Sequence, residues 1–249
     1  MHRHARITRR LPYKVYHIDA KRMEQKEPWF LAINPNGRIP ALTDTCPSDG
    51  QPIALFESGS VMQYLVATYD TEYRISYPPG TRGHFETTNW LFWQNAGVGP
   101  MQGQANHFVR YSGERIEYAI DRYTTEIRRL YGVLEKRLMD VEGQGGYVVP
   151  GGKCTIADIS LWGWIVASGW AGVGLDEFPG IKRWEERMAG RDGVERGRHV
   201  PERHTVKEIL ADKEKMRDLE ERGKKWNEKS KKVDKETVRE NAERAKEHA

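Results

Sequence analysis

The sequence predicts an α+β fold, a small α/β half followed by a longer all-helical half. Three observations carry this. Runs of β-forming residues separated by strong turn signals occupy residues 11–58. Beyond residue 82, apolar residues recur at three- and four-residue steps, and no strand pattern alternates with them. Between the two patterns stands YPPGTR (77–82), a Pro-Pro-Gly break that reads as the linker.

The elements follow in order. YKVYHID (13–19) alternates and is rich in β-formers, which predicts a strand. EPWFLAIN (27–34) predicts a short helix that stops at the turn Asn34-Pro35-Asn36-Gly37. IPALTD (39–44) and PIALFES (52–58) predict two strands, and the loop between them holds Pro47, Asp49 and Gly50, the signature of a hairpin. SGSVMQYLVATYD (58–70) predicts a helix with Val61, Tyr64, Leu65 and Thr68 on one face and Ser58 or Ser60 as its cap. In the second half, an aromatic-rich helical segment covers 85–108, interrupted near Gly97-Val98-Gly99-Pro100. The segment 114–141 carries Ile116, Ile120, Tyr123, Ile127, Leu130, Leu134 and Leu138 on one stripe. Further helices are predicted at 155–171 and 180–189, the first opened by Thr155 and Asp158 in capping-box spacing.

Pro40 lies inside one of the predicted strands, and proline cannot donate to a sheet ladder. It marks a local backbone device at the start of that strand.

Composition narrows the function classes. The chain has 249 residues, 38% hydrophobic and 31% charged, with a net charge of +4. Much of the charge sits in 201–249, where 15 Lys and Arg nearly cancel 13 Asp and Glu, so this tail is no polybasic arm. No basic stripe interleaves with aromatics, which argues against nucleic acid. No apolar run approaches the roughly 20 residues of a membrane span, and MHRHARITRR lacks the apolar core of a secretory signal. Two distant cysteines, Cys46 and Cys154, suit a reduced, cytoplasmic protein. In the tail, Leu219, Trp226 and Val233 recur every seven residues, the spacing of a weak coiled-coil seam, but Gly223 interrupts it and the facing positions are mostly polar, so a solvated or disordered extension is the stronger expectation.

Two glycine-rich stretches fail as nucleotide loops. No strand precedes GVGPMQG (97–103), and Pro100 intrudes; GGYVVPGGKC (145–154) has the wrong spacing and no Ser or Thr after Lys153. The eight histidines show no metal-ligand spacing, so no metal is expected.

Three motifs in fixed order, NPNGRIPAL, ALFESGSVMQYL and YVVPGGKCTIADISLWGW, resemble the glutathione transferases over roughly residues 11–190. The surrounding sequence is most similar to the branch of fungal nitrogen-regulator-like transferases and bacterial glutathione-dependent disulfide reductases. The resemblance implies a thioredoxin-like glutathione-binding domain (1–76), an all-helical domain (81–200) and a charged helical or disordered tail (201–249). It implies a cis peptide before Pro40, which turns the backbone N–H and C=O of Ile39 toward the peptide of glutathione. It implies that Glu57 holds the γ-glutamyl ammonium and that Ser58, at a helix N-terminus, holds the γ-glutamyl carboxylate. Gln25 and Arg38 fall at the glycyl end. On the first long helix of the second half, where Trp90 and Trp93 read as core, Asn95, Met101, Gln104, His107 and Phe108 fall where the family builds its electrophile pocket and its dimer interface. The expected protein is thus a homodimer that conjugates glutathione to electrophiles or uses it to reduce disulfides. The alternative is a catalytically inactive, dimeric glutathione-binding or regulatory homologue.

One departure accompanies the resemblance. Only ten residues precede Leu11, too few for the strand and helix that open the family's first domain. The thiol-activating residue belongs to that βα unit, and the only hydroxyl in this stretch is Thr8. The resemblance therefore implies binding with little turnover and leaves the catalytic residue unassigned.

Overall fold

A computed structural model describes residues 11–247. Residues 1–10, including Thr8, lie outside the described residues, and so does the expectation attached to them.

The first half is built on a two-stranded antiparallel hairpin, β1 (Ala41–Thr45) and β2 (Pro52–Phe56), in register from Ala41 opposite Phe56 to Thr45 opposite Pro52. Its loop closes as the composition predicts. The Cys46 amide donates to the Gln51 carbonyl at 2.8 Å, and Gly50 turns with φ 71°. In an antiparallel ladder, hydrogen-bonded pairs alternate with non-bonded ones. The Thr45–Pro52 pair beside Cys46–Gln51 is therefore a non-bonded one, and the missing N–H of Pro52 leaves no gap in the ladder. A short helix, α1 (Pro28–Leu31), precedes the hairpin, and α2 (Ser58–Tyr69) follows it and packs on both strands.

Residues 13–19 are not a strand. The reason is pairing: β1 and β2 form the whole sheet among the described residues, and β-propensity without a neighbouring strand does not make one. Tyr13 and Tyr16 stand exposed. The first turn begins at Asp19, whose carboxylate accepts from the Lys21 and Arg22 amides.

The junction at 70–82 is fastened on both sides. The Asp70 carboxylate accepts from the Arg74 and Ile75 amides and from the Ser76 hydroxyl, at 2.7, 3.0 and 2.6 Å. The Tyr77 hydroxyl donates to the Pro150 carbonyl at 2.8 Å, and the Ile156 amide donates to the Ile75 carbonyl. Thr81 then caps α3 (Arg82–Trp93) by accepting from the His84 amide.

The expected interruption near Gly97–Pro100 is a π-turn, Gln94–Val98, which carries the chain from α3 into α4 (Gly99–Asn106). Proline inside a helix removes a donor and presses on the carbonyl four residues back. The wider turn accommodates this, with the Gly99 amide reaching back to the Gln94 carbonyl. A second π-turn, His107–Tyr111, ends the segment.

The core of the second half follows the predicted stripe on α5 (Glu117–Asp140): Ile127, Leu130, Leu134 and Leu138 are buried with Tyr131. They meet Leu161 and Ile165 of α6 (Ile156–Ile165) and Ile181, Trp184 and Met188 of α7 (Pro179–Ala189). Trp90 and Trp93 pack half-buried against this core. At the start of the stripe Ile116 is exposed, because the buried face begins one turn later. The predicted 155–171 helix is shorter than expected: α6 stops at Ile165, and a 3₁₀ turn at Ser168–Ala171 ends at Gly172, whose φ of 76° is left-handed. Thr155 and Asp158 form the predicted capping box.

Two short helices, α8 (Asp192–Gly197) and α9 (Val206–Leu210), lead to α10 (Lys213–Glu247). Residues Lys213–Glu247 of the tail are thus helical. Leu219, Trp226 and Val233 are half-buried, and Gly223 and Ser230 complete the same face. Gly223 does not break this stripe. It admits the Tyr111 ring, which lies 2.2 Å from where a β-carbon would sit. Among the described residues no helix is long and apolar enough to cross a membrane.

Candidate functional site

The hairpin register assembles the centre of the site. Because Ala41 pairs with Phe56, the residues just before β1, Ile39 and Pro40, stand beside those just after β2, Glu57 and Ser58. The Ile39–Pro40 peptide is cis, and Ile39 is 61% exposed. Arg38, Pro40, Glu57 and Ser58 are exposed on the same open face.

Asn34 sets the approach to this point, and the sequence reading did not single it out beyond its turn. Its buried carboxamide donates to the Arg38 carbonyl at 2.5 Å and accepts from the Asn36 amide at 2.9 Å. Asn36 in turn donates to the Glu57 carboxylate at 3.5 Å. The Asn-Pro-Asn-Gly signal marked a turn; what it also encodes is a brace between the turn and Glu57.

Glu57 has φ 65° and ψ 118°, a conformation that non-glycine residues rarely adopt and that costs about 1–3 kcal/mol. Such outliers persist where the surroundings over-determine them. Here the strain lies at the N-cap of α2, and it directs the chain from the hairpin into the helix. Neither Ser58 nor Ser60 caps α2: Glu57 holds the cap position without a side-chain bond, and Ser58 is the first helical residue. The first backbone bond of the helix runs from the Val61 amide to the Glu57 carbonyl. The amides of Ser58, Gly59 and Ser60 are thus the unpaired donors that every helix start leaves, and they suit an anion.

Asn95 joins this cluster from the second half. The π-turn brings its carboxamide against α2, 2.3 Å from where a β-carbon on Gly59 would lie. A side chain at residue 59 would displace the Asn95 carboxamide. The other residues of the helix go elsewhere. Met101 packs half-buried against the core, and Gln104 is exposed. Phe108 stacks on Tyr123 with centroids 5.6 Å apart, and His107 meets Asn227 of α10 at 3.2 Å. Burial, reinforced by the charge of Lys231, pushes the His107 imidazole below its ordinary value.

Gln25 is not on the open face. It is buried, 5% exposed, in the 3₁₀ turn Glu24–Lys26, and its side-chain oxygen has no partner. Beside it, Lys26 pairs with Asp234 of α10 at 2.8 Å. Neither of these two was singled out from sequence, because they are 208 positions apart and each sits in a run of ordinary charges.

In chemical terms, the face offers a carboxylate, a set of free amides with a hydroxyl, exposed backbone at Ile39 and a guanidinium, in that order. This suits an extended peptide with a zwitterionic head and an anionic tail. Burial pushes the Cys154 thiol up to about 12, which removes it as a nucleophile. Among the described residues, no group of three or more His, Cys, Asp or Glu is placed to hold a metal ion.

The family model described as the glutathione S-transferase N-terminal domain matches residues 2–68. A glutathione S-transferase-like protein of Aspergillus fumigatus, tpcF, is 39% identical over 196 residues, covering 75% of this chain and 84% of that protein. The disulfide-bond oxidoreductase YfcG of Escherichia coli is 41% identical over 182 residues, covering 73% and 80%. Among solved structures, a glutathione transferase homolog from Lodderomyces elongisporus, with two glutathione molecules per subunit, matches with a TM-score of 0.71 and 38% identity, over 77% of this chain and 88% of that one. A hairpin, strained turn and helical half in this order, together with relatives that share most of their length with it, place the chain in the glutathione S-transferase family, in the branch of the fungal Ure2-like and bacterial disulfide-reductase proteins.

Proposed function

We propose that this chain binds glutathione on the open face of its first half and acts as a glutathione-dependent transferase or thiol–disulfide reductase. The observation that carries the reading is the left-handed Glu57 beside the free amides of α2 and the exposed backbone of Ile39. In this reading Glu57 takes the γ-glutamyl ammonium, Ser58 and the neighbouring amides take its carboxylate, Ile39 pairs with the central peptide, and Arg38 faces the glycyl end. Residues 1–76 form the glutathione-binding domain, 81–200 the helical domain and 201–249 the charged arm. Relatives that are named as glutathione transferases and as disulfide oxidoreductases support both chemistries.

The test is calorimetric titration with reduced glutathione. Ser58→Ala removes a hydroxyl from a bound carboxylate. Hydrogen bonds to charged groups contribute about 1.5–3 kcal/mol, so affinity should fall about 10- to 100-fold. No measurable binding by the unmodified chain would overturn the assignment.

We further propose a cytoplasmic homodimer. Phe85 and Phe92 of α3 are exposed, 58% and 60%, on the helix that continues to Asn95. Large exposed aromatics at helical spacing suit the core of a symmetric interface. Light scattering at micromolar concentration should return twice the 28.8 kDa chain mass. Phe85→Glu with Phe92→Glu should return a monomer, and a monomeric unmodified chain would sink the proposal.

A further inference from the structure

Helix α10 straps the two halves together. Glu220 pairs with Arg110 at 2.7 Å, Tyr111 fills the gap at Gly223, and Asn227 meets His107. Further along, the Trp226 indole donates to the Ala20 carbonyl and Lys229 to the Lys21 carbonyl, both at 2.9 Å. The helix thus reaches the segment that holds Gln25 and Lys26.

There, Asp234 is paired with Lys26 at 2.8 Å. Its carboxylate pairs with the Lys26 ammonium, and that hydrogen bond, with the charges of Lys26 and Arg38, holds it below the usual carboxylate range. Gly37, with φ 59°, lets the 34–38 turn close onto this place: a β-carbon there would lie 3.1 Å from the Gln25 carbonyl and from the stem of Lys26. The turn that carries Arg38 thus closes against the backbone and stem of Gln25 and Lys26. Lys231, Asp234, Lys235 and Val238 line an open hollow on the outer side. Next to Lys26 in the chain, the buried Gln25 carboxamide oxygen is without a partner, which is uncommon for a buried polar atom. Lys26, its partner Asp234 and the open hollow that Asp234 lines thus form a charged cluster whose carboxylate is supplied by the chain itself.

The direction of the site leads here. A tripeptide with its head at Glu57 and Ser58 and its centre at Ile39 runs back along the chain toward Arg38, and its far end is a carboxylate. We propose that Asp234 is an internal stand-in for that carboxylate: it holds Lys26, the cation beside the turn that carries Arg38, which the glycyl end of glutathione must reach, so ligand binding and the seating of this part of α10 compete. Lys26 thereby becomes a binding residue. The inference rests on the glutathione reading above and adds the competitor to it.

The experiment titrates the full chain, Asp234→Asn and Glu228→Gln with glutathione and with its glycyl ethyl ester, at one ionic strength. Glu228→Gln removes an exposed α10 carboxylate and controls for net charge. Asp234→Asn should bind glutathione about three- to fivefold more tightly, the scale of a half-exposed ion pair. It should bind the ester no better than the unmodified chain does, and Glu228→Gln should change neither. Equal gains for glutathione and ester would mean that α10 blocks by bulk, and would overturn the charge competition. Equal glutathione affinity for all three chains would overturn it and leave the glutathione site standing. No binding by any chain would remove the glutathione reading and this inference with it.

Discussion

Replacing Asp158 with alanine should lower the unfolding free energy by about 3 kcal/mol or more, read from the urea midpoint. Asp158 is fully buried at the start of α6. Its carboxylate accepts from the Val148 amide, the Thr155 amide, the Thr155 hydroxyl and the Trp184 indole, at 2.9, 2.9, 3.1 and 3.0 Å. One residue thus caps a helix, holds the 146–152 loop and fastens α7. Burial raises the carboxyl's pKa, and the four donors oppose that shift. Alanine leaves three N–H groups in the interior without an acceptor, and each unsatisfied buried group costs about 1–3 kcal/mol. Asp158→Asn keeps the shape and one acceptor oxygen, so its loss should be smaller, about 1–2 kcal/mol. An alanine variant within about 0.5 kcal/mol of the parent, the range of ordinary surface changes, would show that the network is not what holds α6 and α7 together.

Replacing Glu57 with glycine should separate stability from binding. The backbone at this position is left-handed in φ, and a side chain there costs about 1–3 kcal/mol. Glycine removes that strain, and its larger unfolded-state freedom offsets about 0.5–1 kcal/mol of the gain. The expected net effect is a stabilisation of about 1 kcal/mol, visible as a higher thermal midpoint. Glutathione affinity should move the opposite way. The carboxylate proposed to face the ligand ammonium is gone, and losing a hydrogen-bonded charge partner of about 1.5–3 kcal/mol weakens binding roughly 10- to 100-fold. Glu57→Ala discriminates the two effects: it should lose the same affinity with no gain in midpoint, because the strain stays. If glycine lowers the midpoint, the strain argument fails. If affinity is unchanged, Glu57 is no ligand.

Several features were legible because they are written in neighbouring residues. The hairpin needed only a turn loop between two β-forming runs, and α5 only its own apolar period. Thr155 and Asp158 are three positions apart, so their capping box could be read directly. The same locality explains the misreading of 13–19. Alternation there is strong, but a strand exists only where another strand accepts its backbone groups, and which neighbours are present is a property of the sheet.

The sequence by itself determined the order of the two halves, the device at Ile39 and Pro40, and the acidic-residue-then-serine pair that opens α2. The tertiary structure alone decided what these residues face. It strained Glu57, brought Asn95 onto Gly59, buried Gln25, and laid a helix of nearly balanced charge across both halves. The reason is that α10 docks through a narrow face of Leu219, Gly223, Trp226, Ser230 and Val233. Two of these five are small and look like gaps in a stripe until the ring of Tyr111, 112 positions earlier, is seen to fill the first of them. A pattern that consists of room for a distant side chain has no local signature, so only the packed chain reveals it.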